Sequence, residues 1–260
     1  MNPTYGDHLS VTMSGHVAIV EIDRPPYNHV SVPLMADLAS ALEALDAATD
    51  CRAVVLCAAG KAFCAGADLV ASDGIAGSGM GGIGSLYDQA VRLFSVKTPI
   101  VAAVQGAAVG AGLGLALIAD FRVAAPEARF TANFVKLGFH PGFGLTYTLP
   151  RLIGEHRANL MFLTGRRVKA EDGLDWGLVD EVAPQADLRQ AALRLAGEIA
   201  ENAPLAVTAT RLTLRADLAA AVRAQTDKEA AEQGWLRDTA DYAEGVRSVS
   251  ERRVGNFVGR

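Results

Sequence analysis

Cysteine, aromatic residues and unbalanced charge are all scarce in this chain. Its 260 residues include three cysteines, Cys51, Cys57 and Cys64. An odd count with no secretory leader argues against a disulfide framework and points to free thiols in a reducing cytoplasm. Their spacing fits no common zinc pattern, so no metal site is expected. Net charge is −5, an acidic excess too weak to make an electrostatic case for nucleic acid or an anionic membrane surface. Long apolar runs are nearly absent. Residues 101–119 (VAAVQGAAVGAGLGLALIA) approach the length of a membrane span but carry four glycines and Gln105. They read better as a strand, a glycine turn and a buried helix.

Half of the residues are hydrophobic and a fifth are charged, the composition of an ordinary globular protein with one sizeable core. Residues 16–21 (HVAIVE) read as a strand, which Pro25 and Pro26 end. In residues 33–48, Leu34, Leu38, Ala41, Leu42 and Leu45 recur at helical spacing. Residues 53–56 (AVVL) and 100–104 are continuous apolar runs, suited to strands buried on both faces. Residues 122–124 and 130–131 suggest two further short strands. Strands alternating with helices imply a sheet covered by helices. From residue 155 onward the pattern is mostly helical, with residues 188–199, 205–223 and 226–237 at helical spacing.

Residues 71–85 (ASDGIAGSGMGGIGS) contain six glycines and are expected to form a loop. They include a literal GxGxxG at Gly77, Gly79 and Gly82. A nicotinamide-dependent oxidoreductase is the function this motif would suggest. However, a dinucleotide fingerprint must directly follow a strand, and here polar and glycine residues precede it.

Two segments carry more information. Residues 60–69 (GKAFCAGADL) follow the AVVL strand, and the small residues Ala65, Gly66 and Ala67 allow close approach to the backbone. The segment reads equally as a ligand-binding turn with exposed N–H donors and as a tight strand-to-helix turn capped by Asp68. Residues 104–120 (VQGAAVGAGLGLALIAD) run from a strand through a glycine turn at residues 110–112 into an apolar helix. Free N–H groups there favour developing negative charge. Two such turns, each after a buried strand, have the composition of an oxyanion hole.

These two segments resemble those of the crotonase (enoyl-CoA hydratase/isomerase) family. Residues 151–184 (RLIGEHRANLMFLTGRRVKAEDGLDWGLVDEVAP) are similar to the family's next block, and residues 251–260 (ERRVGNFVGR) to its C-terminal tail. The resemblance covers essentially the whole chain. It implies an α/β fold: a crotonase-like ββα spiral core over residues 1–195 and a C-terminal helical trimerisation region over residues 196–260. It implies an acyl-CoA thioester as substrate, coenzyme A as part of that substrate and no separate cofactor. Neither a nucleic acid nor a membrane is implied as a partner, and the assembly would be a homotrimer or homohexamer.

Position by position, the resemblance implies Ala67 and Ala111 as the backbone oxyanion donors. Ala65, Asp68, Leu69 and Gly110 would border the bound thioester. Arg24, Pro26 and Tyr27 would pass beside the pantetheine, and Arg253 and Phe257 would belong to the CoA-completing tail. The departures are as informative. The two glutamates of a family hydratase correspond to Gly114 and Phe134, and the aspartate that some relatives carry corresponds to Gly142. Neither glycine nor phenylalanine can hold or polarise water. Two loop histidines are candidates to replace them, His140 and His29, because histidine exchanges protons near neutral pH. His140, two residues before Gly142, is the one expected in the site.

The expected function is therefore an enzyme of this family that stabilises a thioester enolate but is not an efficient ordinary hydratase. One alternative is a CoA-thioester-binding protein with little catalysis. Another is a family decarboxylase or C–C hydrolase that uses a histidine.

Overall fold

The computed structural model describes residues 5–67 and 79–260. The chain opens with a hairpin, β1 (Leu9–Ser14) and β2 (Val17–Ile22), turning at Gly15 with φ +59°, a left-handed conformation that glycine adopts without penalty. Helix α1 (Val32–Ala47) begins at Ser31, whose hydroxyl accepts from the Leu34 N–H, with Pro33 in the first turn; both are favoured helix-start residues. Its buried face holds Leu34, Leu38, Ala41, Leu42 and Leu45, the set that the spacing predicts. Next come β3 (Ala53–Ala58), α2 (Gly79–Phe94), β4 (Ile100–Val104), β5 (Ala107–Val109), α3 (Ala111–Leu117), β6 (Phe121–Ala124) and β7 (Arg129–Thr131). A 3₁₀ turn (Phe134–Leu137) precedes α4 (Leu145–Ile153), α5 (Glu155–Thr164), β8 (Arg167–Lys169), α6 (Ala170–Trp176) and β9 (Glu181–Val182). Four helices follow: α7 (Leu188–Ala200), α8 (Pro204–Leu214), α9 (Leu218–Leu236) and α10 (Ala240–Ser250).

The strands form two sheets. One runs β1-β2-β3-β4-β6-β9 and is parallel after its first hairpin; the other runs β5-β7-β8. The turns β4-β5-α3 and β6-β7-α4 each give one strand to each sheet before a helix returns the chain, the ββα spiral that was expected. Strands β3 and β4 are buried at every residue because each alternate side chain meets a different core. Val54, Leu56, Ile100 and Ala102 face the main core with α1 and α3. Val55, Cys57, Val101 and Ala103 face α7 through Ala191, Ala192 and Ala196.

Helix α7 thus belongs to the spiral core and runs across the boundary expected between residues 195 and 196. The helical region that follows it begins with α8. A buried ion network ties α8 to the core: the Asp120 carboxylate accepts from the Ile100 N–H and pairs with Arg211 and Arg215, each at 2.9 Å. Helices α9 and α10 lie back on the chain's own core, α9 against α2 and α4 and α10 against the 3₁₀ turn.

Two expectations change and one holds. The single helix over residues 205–223 is divided between α8 and α9 at Asp217, which has φ +62°. The loop over residues 71–85 gives way to α2 from Gly79, so Gly79 and Gly82 of the GxGxxG lie in a helix while Gly77 is outside the described residues. The apolar segment 101–119 divides among β4, β5 and α3, the strand, turn and buried helix that were expected, and no described helix is long and apolar enough to cross a membrane.

The turn after β3 lies on the turn after β4, backbone against backbone. Cys64 donates to the Ala107 carbonyl and accepts from the Val109 N–H at 2.9 and 3.0 Å. A Cβ on Gly106 would fall 2.0 Å from the Lys61 carbonyl oxygen, and one on Gly112 2.1 Å from that of Cys64. Gly106→Ala is therefore expected to destabilise the fold by about 1–3 kcal/mol or more. Gly84, on the exposed face of α2 with nothing within 4 Å of its added Cβ, is expected to respond in the opposite sense, gaining about 0.5–1 kcal/mol as alanine. Urea denaturation of both variants checks the pair, and equal effects would contradict the packing described.

Candidate active site

Both turns are held by polar side chains from elsewhere. Asn28, buried at φ +53°, donates through Nδ2 to the carbonyls of Ala59 and Ala62, each at 2.8 Å, and accepts from the Arg24 N–H. Gln105 donates from the other side to the carbonyls of Ala58 and Ala62, each at 2.9 Å. The first loop is stitched to the same turn, because Ala65 donates to the Tyr27 carbonyl and Val30 to that of Gly66. Gly66 has φ +97°, and its added Cβ would meet the Val109 carbonyl oxygen at 2.8 Å, so only glycine fits.

The two turns converge on one cavity of about 280 Å³, which Ala65, Gly66, Ala67, Gly110 and Ala111 border on one side. Among the described residues, no acceptor takes the N–H of Ala67 or of Ala111. The remaining wall is mainly apolar: Ile83, Leu86, Phe134, Phe139, Phe143 and Val249. Its polar members are His29, Tyr87, Asn133, Gln233 and Arg237. A largely apolar cavity with a few convergent polar groups is the usual form of a small-molecule site.

A family model described as enoyl-CoA hydratase/isomerase matches residues 12–260. The chain belongs to the enoyl-CoA hydratase/isomerase family. It is similar to a probable enoyl-CoA hydratase of Mycobacterium tuberculosis, 41% identical over 81% of this chain and 82% of that protein. A probable enoyl-CoA hydratase of Rhodobacter capsulatus is 35% identical over 95% and 96% of the two chains. The crystal structure of an enoyl-CoA hydratase/isomerase from Pseudoalteromonas atlantica superposes with a TM-score of 0.86 at 30% identity, over 97% of this chain and 100% of that one.

Aromatic residues occupy all three places to which the resemblance assigns carboxylates in the family. A Cβ on Gly114 would lie 2.5 Å from Cδ1 of Phe143, whose ring fills the space that a side chain at position 114 would need. Phe134 itself stands at the second position and lines the cavity. A Cβ on Gly142 would fall 1.9 Å from the Tyr87 hydroxyl oxygen. The hydroxyl donates to Gln233 Oε1 at 2.7 Å, and Gln233 Nε2 donates to the His140 carbonyl at 2.8 Å. Burial raises the Tyr87 phenol far above its ordinary range, so the hydroxyl keeps its proton.

The two histidines exchange their expected places. His140 lines a separate cavity with Trp235 and Phe162, and its Nδ1 bonds the Pro141 carbonyl. His29 lines the cavity of the two turns, and its Nδ1 lies 3.2 Å from the Gly66 carbonyl. Arg24 donates to the His29 carbonyl, and Tyr27 is exposed with its ring edge-on to His29. Asp68 and Leu69 are outside the described residues. Arg253 and Phe257 lie along the chain's own α10: Arg253 pairs with Glu244, and the Val258 and Gly259 N–H groups donate to Asp241. Cys64 is fully buried, and burial pushes its thiol up to about 12, which makes it inert. Among the described residues, no three His, Cys, Asp or Glu side chains gather to hold a metal.

The loop that carries Phe143 is held by Glu229 of α9. Its carboxylate accepts from the Gly144 N–H (2.7 Å), the Thr146 N–H (3.0 Å) and the Thr146 hydroxyl (2.5 Å). Phe143 and Gly144 are both left-handed, at φ +63° and +72°, and the Phe143 conformation is one that a bulky residue adopts only when its surroundings impose it.

Two outcomes follow. Gly114→Ala is expected to cost about 1–3 kcal/mol by overpacking against Phe143. In a Phe143→Ala background the same change is expected to be neutral or favourable; a double-mutant cycle with no coupling would contradict the contact. The second concerns pH. Burial raises the Glu229 carboxyl from 4.5 to about 7, against the pull of its three donors. The folded chain then binds this proton more tightly than the unfolded one, so stability falls as pH rises from about 4.5 through about 7, by at most ~3 kcal/mol. Glu229→Gln is expected to lose that slope while being less stable overall, read by urea denaturation at acidic and alkaline pH.

Proposed function

We propose that this chain acts on an acyl-CoA thioester and stabilises its enolate, the backbone N–H groups of Ala67 and Ala111 donating to the thioester oxygen. The observation that carries this reading is that both residues border one cavity, each with an N–H that no described residue accepts. Donors aimed at a developing oxyanion in an apolar site contribute most of such catalysis. Coenzyme A enters as part of the substrate.

His29 moves the proton, rather than His140. A carbonyl only accepts, so His29 Nδ1 carries the hydrogen that meets Gly66 and Nε2 keeps its lone pair. In an isomerisation Nε2 takes the proton from Cα, the electron pair passes to the thioester oxygen, and the proton returns at another carbon. In a decarboxylation, loss of CO₂ leaves the pair on the same enolate, and Cα takes up a proton from solvent water relayed through Nε2. Simple hydration fits less well, because Phe143, Phe134 and Tyr87 fill the places from which carboxylates would hold water. That same filling favours one second reading, a protein that binds CoA thioesters without turning them over. Assembly as a trimer or a pair of trimers is supported by α8, which exposes Leu205 (85%) and Leu214 (76%).

A panel of CoA thioesters, read by mass spectrometry for hydration, isomerisation, decarboxylation and C–C cleavage, tests the reading. Crotonyl-CoA hydration is expected to run at least about a hundredfold below an efficient hydratase, the scale of one lost acid or base. On the true substrate, Ala111→Pro removes a donor and is expected to lower turnover by about a hundredfold or more. His29→Gln is expected to lower kcat by a similar factor with thioester binding retained. Tight binding with no product from any thioester would favour the binding protein, and unchanged turnover in His29→Gln would move the proton elsewhere.

A further inference from the structure

The inward face of α9 and its C-cap carry Glu229, Gln233 and Arg237, four residues apart and hence on one stripe, because Arg237 keeps helical dihedrals. The protein itself uses the first two: Glu229 holds the Gly144–Thr146 loop, and Gln233 joins the Tyr87 hydroxyl to the His140 carbonyl. Arg237 differs. Its guanidinium lies 5.8 Å from the Phe139 ring centroid, and among the described residues no carboxylate or carbonyl takes its N–H groups. It borders the cavity of the two turns, close enough to Tyr87 for its charge to act on the phenol.

No Asp or Glu stands among the described residues that border this cavity. A plain alkyl chain would therefore leave a cation beside an apolar wall with no acidic partner among the described residues. A charge that loses water is stabilised only by a partner. Arginine's planar fork is matched to a carboxylate, which it holds through two parallel hydrogen bonds. The Tyr87 hydroxyl, whose proton is committed to Gln233, can only accept further, so it discriminates nothing by donation and leaves recognition of an anion to Arg237.

We infer that the acyl group of the substrate carries a carboxylate at its far end, received by Arg237 on the α9 wall, so that the preferred ligand is the mono-CoA thioester of a dicarboxylic acid. The inference rests on the acyl-CoA reading above and names its substrate class. The guanidinium supplies the charge, Phe139 stacks beneath it, and the apolar residues between Arg237 and the two turns hold the methylenes.

The test compares thioesters of matched length, succinyl-CoA with butyryl-CoA and glutaryl-CoA with valeryl-CoA, with free coenzyme A as reference. Binding is measured by calorimetry on the full chain. One carboxylated member is expected to bind at least about tenfold more tightly than its neutral twin, the scale of one hydrogen-bonded charge pair. Arg237→Met should bring that ratio to about one, and Arg237→Lys should keep part of it. Arg237→Glu should reverse the preference toward 4-aminobutyryl-CoA, a gain that no unfolded variant can show. Equal affinity of the wild-type chain for both twins overturns the inference and leaves the acyl-CoA reading intact. So does an Arg237→Met variant that weakens free coenzyme A as much as the thioesters, which would make Arg237 a phosphate contact. If no thioester binds better than free coenzyme A, the acyl-CoA reading itself falls, and this inference with it.

Discussion

The contact of two backbone turns governs this molecule. Residues 60–67 and 104–112 approach so closely that three glycines, Gly66, Gly106 and Gly112, face carbonyl oxygens where any Cβ would collide. Side-chain amides of Asn28 and Gln105 clamp the Ala62 carbonyl from two directions. The ladder from Cys64 to Ala107 and Val109 fixes the register of one turn on the other. Ala67 and Ala111 reach one cavity because this junction has no slack, and the flanking strands β3 and β4 are buried on both faces to keep it so.

The opposite wall is built on another principle. The junction is made of backbone, whereas the facing wall is made of side chains drawn from α2, the 134–144 loop and α9. Backbone donors persist through side-chain exchange; side-chain chemistry does not. The side chains here are packed in pairs: the ring of Phe143 needs Gly114, and the hydroxyl of Tyr87 needs Gly142. Each aromatic residue occupies a volume that its glycine leaves open. Glycine and aromatic ring are complementary in volume at both positions, so neither member of a pair can be changed without the other.

That pairing also sets what the sequence discloses. Strand β4 and helix α1 are legible because a continuous apolar run and a clean three-to-four spacing each admit one reading. Strands β5, β7, β8 and β9 span two or three residues, too short for any periodicity, and exist only because a neighbour pairs with them. The break at Asp217 leaves no trace in a stretch that keeps helical spacing on both sides. The turns of the site are legible from their small residues, since close backbone approach demands them. The aromatic infill is not, because Phe143 lies 29 residues from Gly114 and Tyr87 55 residues from Gly142. For the same reason His29 and His140 cannot be ranked by loop position alone: which cavity a loop faces is settled by tertiary packing.

Helix α9 gives the cavity a place in time as well as in space. Its wall joins His29 near the start of the chain to Gln233, Arg237 and Val249 near its end, and pairings of such high sequence separation form late because closing large loops is entropically slow. On a ribosome the spiral strands emerge first and can assemble while α9 is still untranslated. A chain released early would keep the paired turns but have neither Glu229 to hold the Phe143 loop nor a far wall to bind against. The binding chamber is therefore the last part of the molecule to come into being, and a nascent chain cannot capture substrate before it is complete.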